Sequence, residues 1–302
     1  MSTRIVITGA NSAVGQAILR RAARHPDLVL VAAVRSERAM KDLPPLPPDQ
    51  RARIGYDDPA SLQAAFTGAD AVVHLAGTLI ERPGSTYESA NVQTTDAVVA
   101  AARASGVGKL VLVSAIGADP RSPNRYFRTK GQAEDLVRRS GLAHTILRAP
   151  LLLGPGTEGT AAVERHLSKP TATLPGGGAN WQQPLHVDDL ARAALVASGR
   201  AVAADATLDV VGPEPVRERE IIERTAAVTG RAVAIKSIPV GLLRVVLRVQ
   251  GLFRKGGFSA DVLDVITADT KMDPSPAMQA LGFPLTGLDT MIGHGHQPAH
   301  RG

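Results

Sequence analysis

Tyr126 and Lys130 stand four residues apart in Tyr126-Phe127-Arg128-Thr129-Lys130, and Ser114 lies twelve residues before Tyr126, after the run Lys109-Leu110-Val111-Leu112-Val113. On a helix the tyrosine and the lysine share one face a turn apart, so a phenol and an ammonium can occupy one small volume. A nearby cation favours phenolate and lowers a tyrosine pKa from its ordinary value near ~10. A phenol so tuned can pass a proton to or from a substrate oxygen near neutral pH. The apolar run before Ser114 reads as a buried parallel strand, and such strands present ligand contacts at their ends. A tyrosine and a lysine on a solvated helix face are the alternative. Only seven of the 34 basic residues are lysines, so a compact, tunable ammonium at position 130 departs from the chain's usage.

These side chains need a scaffold. Ile5-Val6-Ile7, Leu28 to Val34, Ala71 to Leu75, Leu110 to Val113 and Thr145 to Leu147 are short apolar runs. Helices are expected at Val14 to Arg24, around Leu62 and Phe66, at Tyr87 to Ala104 and around Tyr126. Asp42 to Asp49, with four prolines, is a loop. Apolar strands alternating with helices predict an α/β fold, a Rossmann doubly wound parallel sheet. In the second half, Asp188-Asp189 opens a helix through Ala197, Thr207 to Val211 resembles one more strand, and the pattern from Val216 is mainly helical.

Thr8-Gly9-Ala10-Asn11-Ser12-Ala13-Val14-Gly15 joins the first strand to the first helix. Gly9 permits a tight turn, Gly15 permits close helix–sheet packing, and the helix start offers N–H groups to a pyrophosphate. Ser12 stands where the usual fingerprint has its middle glycine. The expected organisation is a dinucleotide-binding core over 1–153, with 184–212 returning to it. A smaller, mostly helical substrate lobe is expected from 154–183 and 213–290, with a disordered tail at 291–302. His294, His296 and His300 are read as part of that mobile tail, and no metal site is expected.

Composition narrows the classes. Aromatic residues make up 3% of the chain, so the core is aliphatic, and the formal net charge of +6 comes from scattered arginines. A scattered excess without a recognition motif points away from nucleic acid. Cysteine is absent, which excludes disulfides and thiol catalysis. No apolar run reaches the ~18 residues of a spanning helix, and no signal peptide is apparent, so a cytoplasmic location is expected.

Taken together, these residues resemble the short-chain dehydrogenase/reductase superfamily. The likeness is to extended and atypical members, especially bacterial NAD(P)-binding proteins similar to the 39 kDa accessory subunit of respiratory complex I. It rests on Thr8 to Gly15, Leu75-Ala76-Gly77, Asn91, Ser114-Ala115-Ile116-Gly117-Ala118, Tyr126 to Lys130, Leu147-Arg148-Ala149-Pro150, Gly154-Pro155-Gly156 and Pro184 to Ala191. The resemblance implies that Tyr126 is the general acid/base, and that Lys130 binds the nicotinamide ribose and tunes the tyrosine. It further implies that Ser114 polarises the substrate oxygen and that Asn91 supports the site. Cofactor contacts are implied at Gly9, Asn11, Ser12, Ala13, Val14, Gly15, Leu75, Ala76, Gly77 and Pro150. Ala149 departs from the family, many of whose members have proline there.

No acid follows the second strand; Val34-Arg35-Ser36-Glu37-Arg38 stands there. Arginine can pair with a ribose 2′-phosphate, so NADP(H) is favoured over NAD(H) through Arg35 and Arg38, with ordinary loop arginines as the alternative. Asp57 or Asp58 resembles the acid that meets the adenine amino group, and either can cap the helix at Pro59. His186 is read as part of a returning strand beside a capping Asp188, and His74 as a satisfied core histidine. Pro239 to Lys255 carries aliphatic residues with Arg244, Arg248, Arg254 and Lys255. It is read as an apolar lid, with a membrane-surface helix as the alternative. Two functions stand: hydride transfer between NADP(H) and a small apolar carbonyl or alcohol, or NADPH binding without turnover as an accessory or sensor protein.

Overall fold

The structure, a computed structural model, describes residues 2–75, 77–199, 201–253 and 257–294. The first half lays down β1 (Thr3–Thr8), β2 (Leu28–Val34), β3 (Arg51–Arg53), β4 (Ala71–His74), β5 (Lys109–Ala115) and β6 (His144–Ala149). Between them run α1 (Ala13–Ala22), α2 (Glu37–Lys41), α3 (Pro59–Phe66), α4 (Thr94–Ala104) and α5 (Arg125–Arg138). The second half adds β7 (Leu152–Leu153), α6 (Glu158–Leu167), β8 (Thr171–Pro175), β9 (Trp181–Gln182), β10 (Leu185–His186), α7 (Val187–Ser198) and β11 (Ala206–Asp209). It continues through β12 (Val216–Arg217), α8 (Glu218–Val228), β13 (Ala234–Ile238), α9 (Val240–Phe253), α10 (Ala260–Ile266), α11 (Ser275–Leu281) and α12 (Leu288–His294).

Seven strands form one parallel sheet in the order β11-β6-β5-β4-β1-β2-β3. Successive residues of each strand feed opposite faces, so both faces must be apolar and covered. In β1, Ile5 and Ile7 pack into the layer of α1, α7 and α11, while Val6 packs into the layer of α3 and α4. The chain leaves β1 toward β2 on one side and later returns to β4 on the other. That reversal opens a crevice at the C-terminal ends of β1 and β4, where open α/β sheets bind ligands.

A third core gathers Leu153, Val163, Leu167, Leu174, Ile221, Ile222 and Met291. This part of the chain carries more β structure than expected: β13 pairs with β8 in parallel, and β12 pairs with β9 antiparallel. The strand holding His186 pairs with β7 rather than joining the main sheet. Ala277, Leu281, Phe283 and Leu285 pack on the main-sheet layer beside α7, away from the lobe expected for 213–290. The chain also stays helical to His294, with Met291 and Ile292 buried, so 291–294 are not the disordered tail expected there. His296 and His300 lie outside the described residues. Among the described residues no helix is long and apolar enough to cross a membrane.

Candidate active site

Two glycines and a serine shape the loop between β1 and α1. Gly9 adopts a φ of 74°, a left-handed conformation in which glycine is unstrained. A Cβ on Gly15 would overlap the Ala10 backbone. Ser12 is extended (φ −68°, ψ 162°), and its Oγ accepts from the Gly15 N–H at 3.1 Å. The serine thus needs no glycine-like backbone and caps the helix. The N–H groups of Gly9 and Ala10 are tied to Ala33 O, and that of Ser12 to Gly9 O. Among the described residues those of Asn11, Ala13 and Val14 have no partner, and they lie at the positive end of α1.

Beside this loop, Asn11, Arg35, Ser36, Arg38, Ala39 and Asp42 line a hollow of about 210 Å³. Ser36 caps α2 through the Ala39 N–H at 3.2 Å. Glu37 turns toward Arg53 at 3.7 Å, and among the described residues Arg35 and Arg38 make no ion pair. Asp58 caps α3 by accepting from the Ser61 N–H at 3.2 Å. The exposed Asp57 carboxylate makes no hydrogen bond or ion pair among the described residues.

At the other end of the crevice Lys130 is buried, and its Nζ donates to Val113 O at 2.9 Å. Asn91 lies in a π-helical turn, Glu88–Gln93, that leads into α4; such turns often mark functional sites. Its Nδ2 donates to Thr129 Oγ1 at 3.0 Å and its Oδ1 accepts from the Thr78 N–H at 3.1 Å, which joins the loop after β4 to α5. A Cβ on Gly77 would come within 2.9 Å of Asn91 Oδ1 and 3.6 Å of Lys130 Nζ. Only a glycine leaves that space open between the two side chains. Leu75 is fastened to β1 through Thr8 O at 3.1 Å; Ala76 lies outside the described residues. Pro150 follows β6 directly, half-buried at the same sheet edge. His74 is neutral between Thr8 and Thr95, its pKa pushed down to about 3 by burial and by the Lys130 charge.

Asn124 starts α5, accepting from the Tyr126 and Phe127 N–H groups, and its Nδ2 donates to Asp261 O at 2.9 Å. Gly131 lets the backbone of Asp119 and Pro120 cross the helix closely. The Tyr126 ring stands edge-on to Tyr87, centroids 5.9 Å apart. Burial, with Tyr87 adding to it, pushes the Tyr126 phenol above its ordinary value. Lys130 is pushed the other way, to about 8, by burial that the Glu134 carboxylate partly offsets. This corrects the expectation that Lys130 lowers the tyrosine's pKa: desolvation sets the direction for both groups.

Ser114 follows Val113, whose carbonyl accepts from Lys130. Its hydroxyl is buried with no well-formed hydrogen bond, yet it is close enough to the Glu134 carboxylate to help lower that group's pKa, so the contact is a long or bent one. Among the described residues no hydrogen bond joins it to Tyr126. His186, rather than Asp188, caps α7, its Nδ1 accepting from the Asp188 N–H at 3.3 Å. The roles of Asn124, Thr129, Tyr87, Glu134 and Arg148 escaped the sequence reading. An asparagine two residues before Tyr126 is a cap signal that could have been used; the others pair across long stretches of chain and leave no local pattern.

Residues 9–175, more than half of the chain, match the profile of a family described as NAD(P)H-binding. The chain belongs to this NAD(P)H-binding family. It is an atypical member of the short-chain dehydrogenase/reductase superfamily, and relatives of this NAD(P)H-binding protein are oxidoreductases and epimerases. It is similar to the 2-alkyl-3-oxoalkanoate reductase of Stenotrophomonas maltophilia, 30% identical over 78% of each chain. It is also similar to subunit 9 of the NADH dehydrogenase [ubiquinone] 1 alpha subcomplex, mitochondrial, of Arabidopsis thaliana, 28% identical over 72% of this chain and 56% of that one. The chain thus spans little more than half the length of that relative. Among solved structures, the NADPH-dependent quinone oxidoreductase QOR2 of Escherichia coli, complexed with NADPH, shares the fold with a TM-score of 0.73 at 20% identity, covering 96% of this chain and 99% of that one.

Proposed function

We propose that this chain is a NADP(H)-dependent reductase of an apolar carbonyl substrate, with Tyr126 as the proton donor. The observation that carries this reading is the space left between Gly77, Asn91 and Lys130, one helical turn from Tyr126. The fit to a dinucleotide is good along the whole crevice. The unpartnered N–H groups of Asn11, Ala13 and Val14 suit a pyrophosphate. Arg35 and Arg38 suit a 2′-phosphate, Asp57 the adenine amino group, and Lys130 with Gly77 and Pro150 the nicotinamide end. A bound nicotinamide supplies or accepts hydride.

The chain's own part is the proton. With its pKa raised, Tyr126 is protonated at neutral pH, which suits donation from its Oη to a forming alkoxide, the reductive direction. Lys130 Nζ, with a pKa pushed to about 8, is a stronger acid than the phenol and can return a proton to Tyr126 from one turn away. Ser114, turned to Glu134, has no part in this reading, so the substrate oxygen is met by Tyr126.

A cavity of about 850 Å³ opens beside Tyr126's neighbours, lined by Glu81, Arg125, Leu247, Gln250 and Phe258 among others. Arg125 there is neutralised by Glu81 through bonds of 3.1 and 3.0 Å. Arg192 stacks on Phe283, Arg217 on Trp181, and Arg219 pairs with Glu223. These three are engaged elsewhere and do not form a diphosphate clamp, which supports an apolar substrate over a nucleotide sugar. The reductase relative is named for a 3-oxoalkanoate bearing an alkyl branch, a keto compound carrying alkyl chains beside its carboxylate.

The test is NADPH oxidation by the purified chain against a panel of alkyl ketones, aldehydes and 3-oxo compounds, with Tyr126→Phe as control. Turnover by the wild type, reduced by about 10²–10⁴-fold in Tyr126→Phe with NADPH affinity kept, is the expected result. A second reading, nucleotide binding without turnover, is favoured by the likeness to the plant NADH dehydrogenase subunit and by the place of Ser114. Tight NADPH binding with no turnover across the panel would select it.

A further inference from the structure

Helix α9 is apolar on two opposite faces. Leu247 is buried and Leu243 half-buried against the protein, and Arg244 on that side is neutralised by Asp264 through bonds of 2.9 and 2.7 Å. Leu242, Val245, Val246 and Val249 are 57%, 59%, 42% and 51% exposed. Their spacing of i, i+3, i+4 and i+7 gathers them into one stripe pointing to solvent. Phe258, 47% exposed, lines the cavity together with Leu247. An apolar lid is expected here from the sequence; Leu247 does line the cavity, while the stripe on the other face stays exposed.

We infer that this outer face of α9 docks on an anionic lipid surface. Charge supports that occupant: the helix contains no acidic residue. Among the described residues Arg248 on the helix and Arg82 across the cavity make no ion pair, while Glu81 and Asp261 share Arg125 and Asp264 pairs with Arg244. The charges left unpaired here are therefore positive. Size points the same way. Four half-exposed aliphatic side chains present on the order of a few hundred Å², short of the roughly 800 Å² per partner of a stable protein interface. A second copy would also bring two basic faces together. An aliphatic stripe flanked by arginine lies instead in the headgroup boundary, where apolar burial and attraction to anionic lipid add. This inference stands apart from the reductase reading, since it concerns a surface and not the chemistry.

The experiment is flotation of the full chain with vesicles of phosphatidylcholine alone or mixed with phosphatidylglycerol, at low and high salt. Binding to the mixed vesicles only, weakened by salt, is expected. Arg248→Glu should reduce partitioning by roughly ten-fold or more, and Val245→Glu with Val249→Glu should abolish it, with NADPH affinity and circular dichroism unchanged in both variants. Absence of wild-type binding to mixed vesicles, or undiminished binding by the double variant, overturns the inference. So does a concentration-dependent dimer that the double variant disrupts, which would assign the stripe to self-association.

Discussion

Glu134 on α5 and Arg148 on β6 form a buried two-bond ion pair, Oε1 to Nε at 2.8 Å and Oε2 to Nη2 at 2.7 Å. Arg138 adds a third bond to the same carboxylate at 2.7 Å, and Arg148 reaches on to Ala118 O at 3.2 Å. The helix that carries Tyr126 and Lys130 is thereby fastened to the sheet. Glu134→Gln removes the only fully buried member of the set and leaves two arginines facing a neutral amide. Breaking a buried pair costs about 3–5 kcal/mol, and the partial exposure of both arginines places this loss near the lower end. Calorimetry should show the melting temperature lowered by roughly 5 °C for a chain of this size.

Lys130 links stability to pH. Its pKa is about 8 in the folded chain against 10.5 unfolded. Between those values the unfolded chain holds a proton that the folded chain has lost, so stability rises with pH. The rise is on the order of 3 kcal/mol if complete. Above about pH 10 the phenols work in the opposite direction: Tyr126 and Tyr87 hold their protons in the folded state, so stability falls there. Urea unfolding from pH 7 to 11 should give a maximum near pH 10, and Lys130→Met should remove the rising limb. An identical profile in the variant would refute the assignment.

Arg35 and Arg38 should set nucleotide preference. Losing one charge-assisted phosphate contact costs about 1.5–3 kcal/mol, roughly 10- to 150-fold in affinity. Titration of Arg35→Ala is expected to show that loss for NADPH and little change for NADH. Equal affinity of the wild type for both nucleotides would contradict the preference.

Asn91 is the tie between the loop after β4 and α5. Asn91→Ala leaves the Thr78 N–H and the Thr129 hydroxyl without this partner, a loss of about 1–3 kcal/mol. Because Gly77 and Lys130 flank the same space, the variant should also bind NADPH more weakly. Asn91→Asp keeps the acceptor for Thr78 and should restore part of the stability but not the donation to Thr129.

The sheet was legible because apolar runs with period-two burial on both faces have few alternatives in a chain of this composition. Ile5-Val6-Ile7 and Leu110 to Val113 fall inside β1 and β5, and Gly9 and Gly15 announced a tight turn against a helix. The tyrosine–lysine pair was legible too, since four residues on a helix make one turn. Its electrostatics were not. Whether a phenol's pKa rises or falls depends on how much water the folded chain leaves around it, and burial is a sum over segments far apart in sequence. The same holds for Ser114, whose strand was evident but whose hydroxyl direction depends on where α5 places Glu134. It holds for α9, whose two apolar faces look alike in sequence until packing buries one. Local periodicity and turn chemistry are written along the chain; desolvation, pairing and exposure arise only when distant segments meet.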